Sequence, residues 1–271
     1  MFNTLINWAG YFILTMLTTG YQSNTIITSY TSFNSCLNYH QKVKFNNQEK
    51  DSITEYFENS GLKLVSDNNY NKTKNEIIII RNKLASSYKL LNDSIRKVQF
   101  LDSAMSIFTN DLLNKIIPYW YETKWDFNGY TAKPNEGIIA CGYFVSTTLR
   151  DMGLKLNRYR VAQKGPLEEA EIIAIENQNI TTIVSSHPDS SICHYLENIE
   201  QGLYFVGLDN HVGYLYLKNK NLYFIHSNYF DGEVMIENIG NSKVFKSRSY
   251  YLSKITGNRL MAMKWLMDEN W

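Results

Sequence analysis

Two strand-like runs near the end of the chain place the strongest constraint on its fold. Residues 208–217 and 222–228 are rich in aromatic, branched and other apolar side chains, a composition typical of β-strands. A short polar segment separates them, with Asn219 and Lys220 at its centre. The pattern predicts an antiparallel hairpin whose two-residue turn is Asn219-Lys220.

That turn sets the register of the hairpin. Counting back from it along both strands puts His211 opposite Asn228 and Gly213 opposite His226. Opposed residues, and residues two apart on one strand, point to the same face, so we expect the two histidines to be diagonal neighbours. Gly213 is expected to leave open the space that His226 faces. A one-residue slip at the turn would put the histidines on opposite faces, so the inference depends on the turn.

Upstream, Cys141 begins a stretch with helical periodicity. Its apolar side chains recur at the spacing of one helix face, at Cys141, Phe144, Val145, Leu149 and Met152. Gly153 follows where a C-terminal cap belongs. In the first turn of a helix, unpaired N–H groups and the positive dipole end lower a thiol pKa and can stabilise an oxyanion. We therefore expect Cys141 to be a nucleophile of lowered pKa; a buried, inert cysteine is the alternative.

These motifs together resemble those of a known family. They are the cysteine with its following residues (Cys141-Gly142-Tyr143-Phe144-Val145), the strand opening (His211-Val212-Gly213) and the second strand (Phe224-Ile225-His226-Ser227). Over residues 123–228 the chain looks like the papain-fold cell-wall peptidases of the NlpC type. The cysteine motif here is Ala140-Cys141-Gly142-Tyr143, where that family usually has Asp-Cys-Ser-Gly.

The resemblance implies an α+β, papain-like fold with the cysteine helix packed on an antiparallel sheet. It implies a cysteine hydrolase that cleaves an amide bond in a peptidoglycan stem or cross-bridge peptide, without a cofactor. Cys141 would attack the carbonyl, His211 would act as the base, and His226 would orient that base. Asn228, directly opposite His211 in the expected register, is the alternative orienting residue.

An aromatic loop directly precedes the cysteine helix. Residues 119–130 form the densest aromatic cluster in the chain. In the family that the chain resembles, this loop borders the groove and can contribute to the oxyanion hole. We expect Trp125 and Asp126 to contact the substrate or the oxyanion, while other aromatic residues of the loop anchor it to the core.

Charge and cysteine content exclude several classes of protein. The chain has 27 Lys and Arg against 26 Asp and Glu, a net charge of +1, so no basic stripe points to a nucleic-acid partner. Its three cysteines, Cys36, Cys141 and Cys193, are an odd number without Cys-x-x-Cys spacing. A disulfide framework or a cysteine-based zinc knuckle is therefore not expected.

The amino-terminal region differs in composition from the rest. Residues 1–41 contain no Asp, Glu, Lys or Arg, and residues 5–17 are apolar enough for a signal-peptide core but short for a membrane span. We expect residues 1–30 to be a signal-like or tether segment, which implies export to the periplasm, cell surface or medium and allows membrane contact only there. Residues 46–100 are expected to form a helical extension, and residues 101–271 the catalytic domain.

Other elements and two rival functions complete the expectations. Helices are predicted at 75–98, 102–117, 167–175 and 259–267, and further strands at 203–206 and 249–255. The rivals are a metal site formed by Cys141, His211 and His226, and a catalytically silent binding protein of the same fold. His187, Cys193 and His194 are not expected to take part in chemistry, and the oligomeric state is left open.

Overall fold

The protein is built around one mixed β-sheet, seen in a computed structural model that describes residues 24–28, 57, 60–66, 69–185, 191–196 and 198–271. The strands are β1 (Asn24–Thr28), β2 (Ile180–Ser185), β3 (Gly202–Gly207), β4 (Val212–Lys218), β5 (Asn221–Asn228), β6 (Glu233–Asn238) and β7 (Ser249–Lys254). Their order is β1-β2-β7-β3-β4-β5-β6. The six strands β2 to β7 are joined by five antiparallel pairings, and β1 pairs with β2 in parallel.

Helices surround this sheet. The α-helices of the described residues are α1 (Tyr70–Lys89), α2 (Ser94–Asp111), α3 (Cys141–Asp151), α4 (Arg158–Ala162), α5 (Pro166–Ala174), α6 (Ser191–Leu196) and α7 (Arg259–Met267). A π-helical turn (Leu112–Ile116) and a 3₁₀ turn (Ile117–Tyr119) continue from the end of α2. The chain is therefore an α+β protein, as expected.

Side chains that alternate along the strands divide the interior into two clusters. Tyr214 and Ile225 belong to the larger cluster, which also holds Phe144 of α3. Leu215 and Phe224, their neighbours in the chain, point to the other face and pack in a second cluster. The alternation follows from the period of two in a β-strand. Both faces of the central strands are consequently covered.

The hairpin register is confirmed. Lys218 pairs with Asn221, and Tyr214 with Ile225. The turn residues Asn219 and Lys220 have φ values of +50° and +66°, the left-handed conformation that a two-residue hairpin turn requires at both positions. The strands accordingly carry the same residues on the same faces as predicted.

Gly213 has a different role from the one expected. A Cβ atom added there would lie 2.7 Å from Phe224 Cε2, 2.8 Å from Ile225 O and 2.9 Å from His226 Cβ. The space beside Gly213 is thus filled by β5 itself, and glycine is needed because the strands and rings approach so closely.

The amino-terminal helices are not a separate extension. The expected boundary between residues 100 and 101 falls inside α2, and Ile77 of α1 packs in the same cluster as Phe144 of α3. The helix predicted at 75–98 is also broken, because Asp93 accepts a hydrogen bond from Arg96 N at 2.7 Å and starts a new helix. One continuous core therefore joins α1 and α2 to the rest of the protein.

Most of the expected signal-like segment lies outside the described residues, as do Cys36 and His187. The exception is Asn24–Thr28, which forms the edge strand β1. No helix in the part of the chain that the structure describes is long and apolar enough to cross a membrane.

The carboxyl end of α3 is held by residues that are distant in sequence. Trp265 Nε1 donates to Met152 O at 2.7 Å. Arg81 donates to Gly153 O at 3.1 Å and forms an ion pair with Asp268 at 2.6 Å. The last carbonyl groups of a helix lack partners within the helix. Here the carbonyl of the C-cap residue Met152 and that of the next residue, Gly153, find side-chain donors from α7 and α1.

Candidate active site

Cys141 lies at the amino end of α3, close to the start of β4. The preceding residue, Ala140, provides no side-chain cap for the helix. Ser227 of β5 donates to Ile139 O at 2.7 Å and fixes the segment that leads into the helix. The backbone N–H groups of Val212, Gly142 and Cys141 itself lie near the sulphur and favour its ionised form. The thiol is therefore held where helix and sheet meet.

The expectation of a lowered thiol pKa is wrong for the resting protein. Burial raises the pKa of Cys141 to about 11, and the nearby Glu169 carboxyl adds to the rise. The three N–H groups act in the opposite direction but with less effect. Burial therefore destabilises the Cys141 thiolate more than the N–H groups at the helix end stabilise it. Cys141 is consequently a neutral thiol at rest, with part of its surface open.

The two histidines form a buried pair. His211 Nε2 lies 2.8 Å from His226 Nδ1, with the rings nearly perpendicular. Only 2% of His211 and none of His226 is exposed. Burial lowers the pKa of His211 well below its usual range and that of His226 to about 3. Both imidazoles are therefore neutral at pH 7, each with one N–H and one free lone pair.

Cys141 and His211 share one cavity of about 800 Å³. They reach it from different faces of the sheet. The helix α3, which carries Cys141, packs on the face of Tyr214. His226, the neighbour of His211, stacks with Phe224 on the other face. His211 stands immediately before β4, so the strand end brings its ring to the cavity that the thiol lines. No hydrogen bond joins these two described side chains, a separation that is common in sites without substrate.

Aromatic side chains dominate the cavity walls. Those lining it are Trp125, Phe127, Tyr130, Tyr143, Tyr159 and Tyr229. Trp125 N donates to Gly232 O at 2.8 Å, and its ring lies 6.1 Å from that of Tyr229. Trp125 thus stands where a substrate-contacting residue was expected. The aromatic loop is fixed to the edge of the sheet beside β6.

Asp126 does not line this cavity. Its Oδ1 accepts from Asn128 N at 2.8 Å and closes a turn in the aromatic loop. An aspartate two residues before an N–H group commonly makes this local bond. The carboxylate therefore shapes the loop, and the structure gives it no place at the thiol.

Asn228 is also engaged elsewhere. Its Oδ1 accepts from Phe230 N at 2.7 Å and from Asp231 N at 3.2 Å, and its Nδ2 donates to Asp231 Oδ2 at 2.7 Å. The side chain therefore organises the turn between β5 and β6. Of the two residues considered for orienting His211, the structure places His226, and not Asn228, against it.

Sequence reasoning missed Glu237. It lies on β6, which was not predicted, and its Oε1 is 2.9 Å from His226 Nε2. Burial raises the pKa of Glu237, while Ser242 and Lys243 oppose the rise. The short apolar run Val234-Met235-Ile236 could have indicated the strand, but nothing in the sequence pairs this glutamate with a histidine.

Glu169 lies in the first turn of α5, where an acidic side chain is favourable to the helix dipole. It is 1% exposed, its Oε1 has no hydrogen-bond partner, and the residue contributes to the cavity lining. Burial raises its pKa well above the usual range. Gly142 separates it from the thiol, and a Cβ there would lie 3.3 Å from Glu169 Oε2. The carboxyl is therefore a neutral acid directly behind the cysteine motif.

The metal-site alternative finds no support in the geometry. Within the described ranges, no group of three or more His, Cys, Asp or Glu residues could hold a metal ion. Both ring nitrogens of His226 are engaged, by His211 and Glu237. Cys193 and His194 belong to α6, and the positions of their side chains lie outside the described part of the chain.

Comparison of the chain with protein-family models, with curated proteins and with solved structures gives no match. The α+β architecture is therefore established by the structure of the chain itself. Its relation to papain-like peptidases stays a hypothesis that rests on the motifs around Cys141, His211 and His226.

Proposed function

We propose that the protein is a cysteine hydrolase that cleaves an amide bond. One observation carries the proposal: Cys141, at the uncapped end of α3, shares a cavity with His211, whose Nε2 is held by His226 at 2.8 Å. A nucleophile, a base and a residue that orients the base are the three parts that this chemistry needs.

The neutral state of both groups defines how the first step proceeds. His211 Nδ1 takes the thiol proton as the Cys141 sulphur forms its bond to the amide carbon. The carbonyl π electrons move to oxygen, and the N–H groups of Cys141 and Gly142 stabilise the resulting oxyanion. Because the thiol pKa is high and the imidazole pKa low, proton transfer accompanies attack and no preformed ion pair is involved.

The second half of the reaction returns the site to its starting state. The C–N bond breaks, and the leaving amine receives the proton from His211. Water, deprotonated by the same imidazole, then attacks the thioester and releases a carboxylic acid and the free thiol.

A peptide from peptidoglycan is the proposed substrate. The motifs that resemble the NlpC-type peptidases support it, and so does a cavity whose walls are aromatic and suited to a chain of mixed polarity. The corresponding place of action is outside the cytoplasm, at the cell wall.

The direct test is digestion of purified peptidoglycan, followed by mass spectrometry of the released fragments. We expect new peptide fragments with the unaltered protein and none with Cys141→Ser, because a hydroxyl is a far weaker nucleophile beside an imidazole. Cys36→Ser and Cys193→Ser are the matched controls and should keep activity. Full activity of Cys141→Ser would exclude the assigned nucleophile.

A silent binding protein of the same fold is the second candidate. It is favoured by the raised pKa of the Cys141 thiol and by the lack of a hydrogen bond between Cys141 and His211. Labelling with iodoacetamide separates the two functions. In a hydrolase, His211→Ala slows the labelling of Cys141, whereas in a binding protein Cys141 reacts no faster than Cys36 and ignores the substitution.

A further inference from the structure

The donor and the acceptor of each hydrogen bond behind the histidine pair can be assigned in turn, starting from Ser242. Ser242 Oγ accepts from Val244 N at 3.2 Å and from Phe245 N at 3.0 Å. With its lone pairs engaged by two N–H groups, the hydroxyl has its own hydrogen left to give, and its partner is the carboxyl of Glu237. Glu237 is therefore an acceptor on this side.

The same carboxyl meets His226 on its other side. Glu237 Oε1 lies 2.9 Å from His226 Nε2, and only 11% of the glutamate side chain is exposed. With Glu237 ionised, its oxygens have no hydrogen to donate, and His226 then carries its proton on Nε2. His226 Nδ1 is then a bare lone pair.

The same reasoning assigns the hydrogen between His226 and His211. Because His226 Nδ1 has a lone pair and lies 2.8 Å from His211 Nε2, the hydrogen between them belongs to His211. A neutral imidazole has one N–H, so His211 Nδ1 is unprotonated. That nitrogen is the one left free for the thiol proton.

We propose that Glu237 is a positioning residue, which fixes the tautomer of His226 and through it keeps His211 Nδ1 unprotonated. The inference rests on the proposed function of Cys141 and His211. Without the carboxylate, the shared hydrogen can sit on His226 Nδ1, and His211 then carries its proton on the nitrogen that should act as the base. Removal of the carboxylate would thus change which nitrogen of His211 carries the proton and leave the cavity intact.

Nitrogen-15 NMR of the histidine side chains tests this directly, because it reports which ring nitrogen carries the proton. In the unaltered protein we expect His211 and His226 both as Nε2–H tautomers. Glu237→Ala should bring a second population with Nδ1–H on His211. Glu237→Gln should restore the original tautomers, since its amide oxygen can still accept from His226. Glu233→Gln, on the same strand, is the matched control and should change nothing.

Alkylation of Cys141 by iodoacetamide provides a kinetic measure in the same proteins. Glu237→Ala should slow it about tenfold at pH 7, and Glu237→Gln should recover most of the rate, in keeping with the usual cost of losing a residue that orients a base. An Nδ1–H tautomer of His211 in the unaltered protein would overturn the inference even if Glu237→Ala fails to fold.

The two proposals fail in different ways. Peptidoglycan cleavage with unchanged tautomers in Glu237→Ala would remove the role of Glu237 and leave the hydrolase. Tautomers that shift as described, without cleavage of peptidoglycan, would support the role of Glu237 in the proton arrangement and reject the proposed substrate.

Discussion

The protonation state of the Cys141 thiol determines how it reacts. Burial raises its pKa to about 11, so roughly one thiol in ten thousand is ionised at pH 7. In His211→Ala, where no base assists and only the thiolate reacts, we expect the rate of iodoacetamide alkylation to rise about tenfold per pH unit between pH 6 and pH 9, as the thiolate fraction does. Stopped-flow or mass-spectrometric labelling of the purified protein measures it.

A plateau in that rate below pH 8 would contradict this view, because it would indicate a preformed thiolate. The control is Cys141→Ser, in which labelling at this position must disappear.

Glu169 should make the stability of the protein depend on pH. Its folded pKa is raised well above the usual range by burial, whereas in the unfolded chain it is about 4.3. Between these two values the native state binds more protons than the unfolded state, so the free energy of unfolding falls as pH rises. Glu169→Gln stays neutral, so its stability relative to the unaltered protein should increase as pH rises above about 4.3, the pKa of the unfolded carboxyl.

Urea unfolding across this range measures the difference for Glu169→Gln. Glu171→Gln, on the same helix and only partly buried, serves as the control. A stability difference that does not grow with pH would show that the Glu169 carboxyl is already ionised in the native state.

His226 and Asn228, both on β5, have different roles. His211→Ala should reduce amide cleavage by about 10²–10⁴-fold, the usual contribution of a general base. His226→Ala should cost less, because thiol and oxyanion donors remain. Asn228→Ala should keep activity but lower the free energy of unfolding by about 1–3 kcal/mol, since its turn N–H groups are left unpaired.

Measuring the cleavage rate and the urea midpoint of all three variants separates these roles. Strong loss of activity in Asn228→Ala with normal activity in His226→Ala would reverse the assignment.

The helices and strands that were predicted correctly are those whose sequence pattern lies within the element itself. The helix expected at 167–175 is an example: Pro166 is the first residue of α5, and Glu168 Oε2 accepts from Gly165 N at 3.2 Å. Alternation and turn residues gave the β4–β5 register and hence the histidine pair. The break before Asp93 was missed because helical periodicity continues through it, although an aspartate that caps a helix was present.

Features that depend on distant residues could not be read from such patterns. The partner of His226, Glu237, lies on a strand with only weak alternation. The thiol pKa was predicted from the helix end alone, but burial dominates it, and the charge of Glu169 and the backbone of Val212 also act on it. Tertiary surroundings, and not local sequence, decide both.

Removal of residues 1–41 should leave the site intact. β1 pairs only with β2, at the opposite edge of the sheet from β6. A truncated protein beginning at Lys42 is therefore expected to fold cooperatively and to keep the alkylation rate of Cys141. Because it exposes the edge of β2, it should self-associate more readily. Size-exclusion chromatography and thermal melting measure these properties, and loss of a cooperative melt would show that the removed segment belongs to the core.

The side chains that hold the end of α3 affect the order in which the protein can mature. Met152 O and Gly153 O depend on Trp265 and Arg81, and Arg81 in turn pairs with Asp268. A ribosome synthesises the chain from its amino end, so the cysteine helix emerges well before α7. Its last turn gains these partners only after Trp265 and Asp268 have left the exit tunnel. Assembly of the thiol site is thereby tied to the synthesis of α7, and a chain that stops before α7 would carry Cys141 on a helix whose end lacks these partners.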